Sequence, residues 1–196
     1  MAAAFHPITF LREFFRSTEM VGAVCPSSPY LARLIVESAN VRSASSIVEL
    51  GPGDGIFTRH ILEAKSKDAQ FIAVEKNPVF AEKLKTHSPH LPVIEGCATK
   101  LTDIVREHNL GTVQSIVCGL PWAAFPFDLQ TAILQEINAI LCEKTGVFAT
   151  FAYFGPHWMP KGNAFRTRLK TLFSDVRTSR IELRNVPPAF VYIARK

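Results

Sequence analysis

The stretch Ile47-Val48-Glu49-Leu50-Gly51-Pro52-Gly53-Asp54-Gly55-Ile56 decides the fold. It reads as a short apolar strand that ends in an acid-bearing turn with three glycines at alternate positions. Helical spacing follows from Phe57 to Ala64. A strand that breaks into glycines and restarts as a helix lets backbone N–H groups approach a ligand closely. A second apolar strand, Phe71-Ile72-Ala73-Val74-Glu75, ends in another acid 20 residues past Gly55. That distance fits one βαβ unit, and a carboxylate there can accept both hydroxyls of a ribose.

Two nucleotide-type ligands suit such a layout. A dinucleotide site wants G-x-G-x-x-G with a pyrophosphate over the helix N-terminus. Here the order is Glu49-x-Gly51-x-Gly53-x-Gly55. An acid at the end of the first strand repels a pyrophosphate and suits a cationic or amino-bearing ligand. The pattern resembles motif I of the class I S-adenosylmethionine (SAM) methyltransferases.

Outward from this unit, strands and helices alternate. Ser28-Pro29 is an N-cap and N1 pair for a helix to about Asn40, with Leu31, Leu34 and Ile35 inside. Asn77-Pro78 opens another helix in the same way, with Phe80 and Leu84 inward. Leu91–Glu95 is a third strand, and Leu101, Ile104 and Val105 mark a third helix. Val113–Cys118 is a fourth strand, followed by Gly119-Leu120-Pro121-Trp122 and a helix from Asp128 to Cys142. Val147–Tyr153 is a fifth strand, with an aromatic loop, Phe154-Gly155-Pro156-His157-Trp158, past its end. Asn163 caps a basic helix to Phe173. Val176–Arg184 and Phe190–Ala194 form a closing hairpin through Asn185-Val186-Pro187-Pro188. The alternation predicts a doubly wound α/β sheet.

The 196 residues suit one domain, and 47% hydrophobic against 20% charged residues argues against disorder. No apolar run reaches the roughly 20 residues needed to span a bilayer, and no signal peptide is visible. Cys25, Cys97, Cys118 and Cys142 are scattered, as in a reduced, cytoplasmic protein. The net charge of +5 leans toward anionic partners, lipid headgroups or nucleic acid. Residues 1–20 are read as a separate amphipathic helix ahead of a domain over 21–196. There Phe10, Leu11, Phe14 and Phe15 make one apolar stripe, able either to cover the core or to lie in a membrane interface.

Gly22-Ala23-Val24-x-Pro26-Ser27-Ser28, the glycine turn, Gly119-Leu120-Pro121 and Asn185-x-Pro187-Pro188-Ala189 together resemble the bacterial PmtA-type phospholipid N-methyltransferases. The resemblance spans nearly the whole chain. It implies a Rossmann-like class I methyltransferase fold, with a seven-stranded, mostly parallel sheet, a C-terminal antiparallel hairpin and helices on both faces. It implies SAM as donor, the amine of phosphatidylethanolamine as acceptor, and peripheral attachment to an anionic phospholipid surface. By position, Glu49, Gly51, Gly53 and Gly55 would surround the methionine part of SAM. Glu75, with Lys76 beside it, would hold the ribose, and Cys97 and Ala98 would sit by the adenine. Gly119 and Leu120 would line the donor methyl. Many relatives carry Asp where Cys97 stands, and a thiol is a poor acceptor for the adenine amino group.

Methyl transfer to an amine needs mainly positioning and electrostatics, and aromatic walls favour methylated ammonium groups. Trp122, Tyr153, Phe154, Trp158 and Tyr192 are the candidates, with Tyr153 first because its ring and hydroxyl could both face a headgroup. Arg166, Arg168, Arg180 and Arg184 are the available cations for a lipid phosphate, with Arg166 placed on the substrate side. His60, His87, His90 and His108 show no ligand spacing, and no metal is predicted. His157 is the one histidine placed near chemistry. The rival enzyme class is an RNA adenine methyltransferase, which carries Asn/Asp-x-Pro-Tyr/Phe after strand four. Gly119-Leu120-Pro121-Trp122 lacks the amide that would hold the base, so nucleic acid is the less favoured partner. A small-molecule amine methyltransferase is a further option. An intact glycine motif speaks against a SAM-binding protein without turnover.

Overall fold

A computed structural model of the chain describes residues 27–155 and 160–196. The amphipathic helix expected over residues 1–20, with Cys25, His157 and Trp158, lies outside these residues. The described chain runs α1 (Pro29–Ser38), β1 (Ser46–Leu50), α2 (Ile56–Ala64), β2 (Gln70–Glu75), α3 (Pro78–His87), β3 (Val93–Glu95), α4 (Leu101–Glu107), β4 (Ser115–Cys118), α5 (Phe127–Ile140), β5 (Val147–Tyr153), α6 (Pro160–Leu172), β6 (Asp175–Thr178) and β7 (Ala189–Arg195).

The seven strands form one sheet in the order β3-β2-β1-β4-β5-β7-β6. β1 to β5 are parallel, and β7 inserts antiparallel between β5 and β6. The expected doubly wound sheet with an antiparallel end is therefore the observed fold. Every residue of β1 is buried, as a central parallel strand covered on both faces requires. One face packs Ile72, Ile116 and Phe148 against Ile133, Leu134 and Ile137 of α5. The other packs Ile47, Phe71 and Ala149 under Leu31 and Ile35 of α1 and Ile61 of α2. Among the described residues, no helix is long and apolar enough to cross a membrane.

Local chemistry sets the helix starts. Ser28 caps α1 by accepting from the Leu31 N–H at 3.2 Å, with Pro29 at the first helical position. Asn77 accepts from Val79 N–H at 2.9 Å and Pro78 opens α3. Two expected starts move. α5 begins at Phe127 with Pro126 at its cap, and Asp128 falls in the first turn, where its charge still suits the helix dipole. α6 begins at Pro160, before Asn163.

The tail departs most from the sequence reading. β6 ends at Thr178 and does not run on to Arg184. Residues 179–188 leave the ladder; Ser179 still bonds to Val191, and an isolated bridge pairs Glu182 with Ala189. There the buried Glu182 takes the Arg184 guanidinium at 2.8 and 3.0 Å, and Pro187 and Pro188 have no N–H for a ladder. β3 is likewise shorter than Leu91–Glu95, because Leu91 N–H turns back to Ser88 and Pro92 has no N–H for the ladder.

Candidate functional site

The sheet reverses its winding between β1 and β4, and open α/β sheets bind ligands in the crevice at that point. The carboxyl ends of β1, β2 and β4 deliver Gly51, Glu75 and Gly119 there. Gly51 has φ +66°, and a Cβ on it would stand 2.7 Å from Leu120 Cδ2. A Cβ on Gly119 would stand 2.7 Å from the Gly51 carbonyl oxygen. The two turns touch backbone to backbone, so both positions require glycine. The cleft is lined by Gly51, Glu75, Lys76, Gly96, Cys97 and Ala98, with Leu120 and Phe125 closing over it. Its free volume is about 20 Å³. The roomier cavities lie between α2 and α3 and beside Phe127.

Glu49 is fully buried in the middle of the sheet. Its Oε2 accepts from Thr58 Oγ1 at 2.7 Å. Its Oε1 has no partner among the described residues. Burial pushes its pKa up to about 8, the Thr58 hydrogen bond opposing and the charges of Glu75 and Asp54 adding. An unpartnered, desolvated carboxylate is a strong attractor for a cation with N–H donors.

Glu75 staples the glycine turn to β2. Its Oε2 accepts from Gly53 N–H at 3.1 Å and its Oε1 from Asn77 N–H at 2.8 Å. Burial still raises its pKa against these donors. Both oxygens keep a second lone pair for a ligand hydroxyl. Lys76 Nζ is buried with no hydrogen-bond partner among the described residues. Cys97 Sγ lies 3.1 Å from Thr99 Oγ1. The cleft therefore offers an unpartnered donor and a backbone-lined floor, with the unpartnered Glu49 oxygen buried two residues before Gly51. These groups fit a ligand with an ammonium, a ribose and an aromatic base.

The aromatic candidates separate. Trp122 is 5% exposed, its indole N–H donates to Thr150 Oγ1 at 2.8 Å, and its ring packs on Phe165 at 4.9 Å. Tyr192 is 2% exposed, between Phe190 and Phe165. Both rings are core, contrary to the reading that put them on the wall of an acceptor site; Thr150 of β5 and Phe165 of α6, which hold them there, are distant in sequence. Tyr153 and Phe154 stand at the carboxyl end of β5, half-buried and exposed respectively, and Phe154 N–H donates to Pro188 O at 2.7 Å. Arg166 is exposed on α6.

Two contributors were missed by the sequence reading. Thr58 orients Glu49; it sits at a buried position of α2 beside Phe57 and Ile61, and a hydroxyl on that apolar face is a signal the sequence does carry. Phe125, as buried as Trp122, lines the cleft beside Cys97 and Ala98, where Trp122 does not reach.

The Glu49 shift has a consequence for stability. Its folded pKa lies above the usual carboxylate value, so the ligand-free protein holds a proton that the unfolded chain loses between pH 4.5 and about 8. Stability should fall as pH rises through that window, by an amount on the order of a few kcal/mol, at about 1.4 kcal/mol per pKa unit. Urea unfolding at pH 5 and pH 8 should show this, and Glu49→Gln should flatten the slope. An equal slope in the variant would assign it to other groups.

Residues 27–98 match the ribosomal RNA adenine dimethylase family. An ornithine lipid N-methyltransferase from Singulisphaera acidiphila is 30% identical over 189 residues, 95% of this chain and 94% of that protein. A ribosomal RNA small subunit methyltransferase A from Chlorobium phaeobacteroides is 40% identical over 109 residues, 55% of this chain but 37% of its own length. The fold is shared with a Burkholderia thailandensis 1,6-didemethyltoxoflavin-N1-methyltransferase solved with S-adenosylhomocysteine. There the TM-score is 0.68 at 15% identity, over 100% of this chain and 92% of that one. The chain belongs to the class I SAM-dependent methyltransferases, and a lipid N-methyltransferase is a relative over almost its full length.

Proposed function

We propose that this enzyme transfers methyl groups from SAM to the primary amine of a membrane aminolipid with a headgroup of the phosphatidylethanolamine kind. The ornithine lipid relative supports the aminolipid class. SAM, when bound, supplies an electrophilic methyl group. In this reading Glu49 takes the ammonium of SAM, Glu75 the ribose, and Cys97 and Ala98 flank the adenine. Gly119 and Leu120 leave a side-chain-poor opening for the amine, with Tyr153 and Phe154 at its rim.

One observation carries the choice of lipid over RNA. After β4 the chain has Gly119 where a base-binding enzyme needs an amide, and the aromatic that follows, Trp122, is sealed in the core. Nothing on this loop can both hold and stack a flipped base. The match to the rRNA dimethylase family ends at residue 98, before this loop. The likeness to the lipid enzyme covers 95% of the chain.

The membrane part of the proposal rests on residues 179–188, beside the end of β5. The buried Asn185 fixes this loop: its Oδ1 accepts from Ser28 N–H at 2.9 Å and its Nδ2 donates to Pro187 O at 2.7 Å. Held this way, Leu183 and Val186 are each 73% exposed. Arg184 lies 3.8 Å over the Tyr30 ring, with Arg180 close by in the loop. A rigid apolar rim edged by cations suits an anionic lipid surface.

Purified enzyme and SAM incubated in parallel with phosphatidylethanolamine vesicles, ornithine lipid vesicles and protein-free small-subunit rRNA test the substrate. Mass analysis should find methylated lipid and unmodified RNA; methylated RNA with untouched lipids would overturn the proposal. For the rim, the double substitution Leu183→Asp, Val186→Asp should reduce co-sedimentation with phosphatidylglycerol-containing vesicles several-fold while leaving the circular dichroism spectrum intact. Undiminished sedimentation would remove this loop from the membrane contact.

A further inference from the structure

Arg168 is a buried cation with no counter-anion among the described residues. It projects from α6 and is only 9% exposed. Its Nη1 donates to Gln130 Oε1. Gln130 in turn donates from Nε2 to the Trp122 carbonyl at 2.7 Å and the Phe125 carbonyl at 2.9 Å. The guanidinium carbon stands 3.9 Å over the Phe127 ring. Arg168 Nε has no partner among the described residues, and no described carboxylate lies within ion-pair distance of it. Burial pulls its pKa down from the usual guanidinium value, but an arginine stays charged at any physiological pH. Removing such a charge from water is costly unless an anion compensates it.

The guanidinium lines a cavity of about 400 Å³ whose other walls are Ala124, Phe125, Pro126, Phe127 and Ala164. The cavity adjoins the first turn of α5, which no side chain caps. Its backbone N–H groups add positive potential, while the exposed Asp128 in that turn opposes it. Phe125 is a wall of this cavity and also of the cleft that holds Glu75 and Cys97. The two cavities thus share Phe125. Through Gln130, the guanidinium is tied to the same post-β4 loop that borders the amine opening.

We propose that Arg168 and this cavity bind the oxyanion of the acceptor headgroup, the phosphodiester or carboxylate of a zwitterionic aminolipid. The proposal rests on the aminolipid reading and deepens it. A planar guanidinium pairs with either anion through two parallel N–H donors. Its fixed tie to the post-β4 loop makes the anion a ruler for the amine. Specificity then comes from the headgroup's anion as well as its amine, and a bare alkylamine is a poor substrate.

Arg168→Gln and Arg168→Lys test this against the wild type, with three micelle-dispersed acceptors: phosphatidylethanolamine, ornithine lipid and a long-chain alkylamine that has no oxyanion. The Gln variant should raise KM for the oxyanion-bearing acceptors about tenfold or more, with a smaller rise for Lys. KM for the alkylamine and the Kd for SAM should stay unchanged. A rise confined to one lipid identifies its anion as the ligand. An equal loss on all three acceptors, or no loss on any, overturns the proposal. Should none of the three be methylated, the aminolipid reading fails, and the Arg168 site is judged by binding. Titration of the wild type with inorganic phosphate, followed at the Arg168 Nε–H resonance, should then give a saturable shift, and a flat titration overturns the site.

Discussion

A carboxylate buried in the centre of a parallel sheet, with one oxygen left unpartnered, is the constraint from which the site follows. Glu49 lies between β2 and β4 in full register, opposite Ala73 and Val117, where water cannot reach it. Desolvation alone would make it a fault in the core. The structure answers half of its demand with the Thr58 hydroxyl and leaves the other oxygen buried without a partner among the described residues. Because the ligand must come within hydrogen-bonding reach of a sheet interior, the turns above it must be thin. Gly51 and Gly119 supply that thinness: a Cβ on Gly51 would meet Leu120, and one on Gly119 would meet the Gly51 carbonyl oxygen. Glu75 then pins the middle of the glycine turn from the adjacent strand.

This arrangement divides the molecule by role. From β1 to the turn after β3 the chain builds a donor half common to a very broad enzyme class, and here the likeness to the rRNA dimethylase family lies. From β4 onward it builds what we propose to be the acceptor half. There Trp122 and Phe125 are both buried, Phe125 lining the cleft, and Gln130 ties the loop to Arg168. A likeness that covers the donor half names the donor; naming the acceptor needs one that runs through both halves, as the lipid enzyme's does.

Legibility in the sequence follows the same division. The donor half is coded locally: strand, acid, alternating glycines, second acid, all within 29 residues from Ile47 to Glu75. Caps at Ser28 and Asn77 with their following prolines are equally local, and they stand where the sequence puts them. The acceptor half is not local. Trp122 and Phe125 are three residues apart in one loop, and nothing near them says which lines the cleft. That is decided by Thr150, Phe148 and Phe165, from β5 and α6. Residues 176–184 have strand-like composition, yet the strand stops at Thr178 and Glu182 pairs locally with Arg184. Thr58 was visible as a hydroxyl on an apolar helix face; its partner was not, because it lies across the helix–sheet interface.

Calorimetry of SAM binding at pH 6.5, repeated in buffers of different ionisation enthalpy, probes the buried carboxylate most directly. With its pKa near 8, Glu49 is protonated in the free protein at that pH, and pairing with the ligand's ammonium requires the anion. Release of roughly one proton per SAM bound is the predicted result, absent in Glu49→Gln. Heats that do not change with the buffer would contradict the placement of Glu49 against that ammonium.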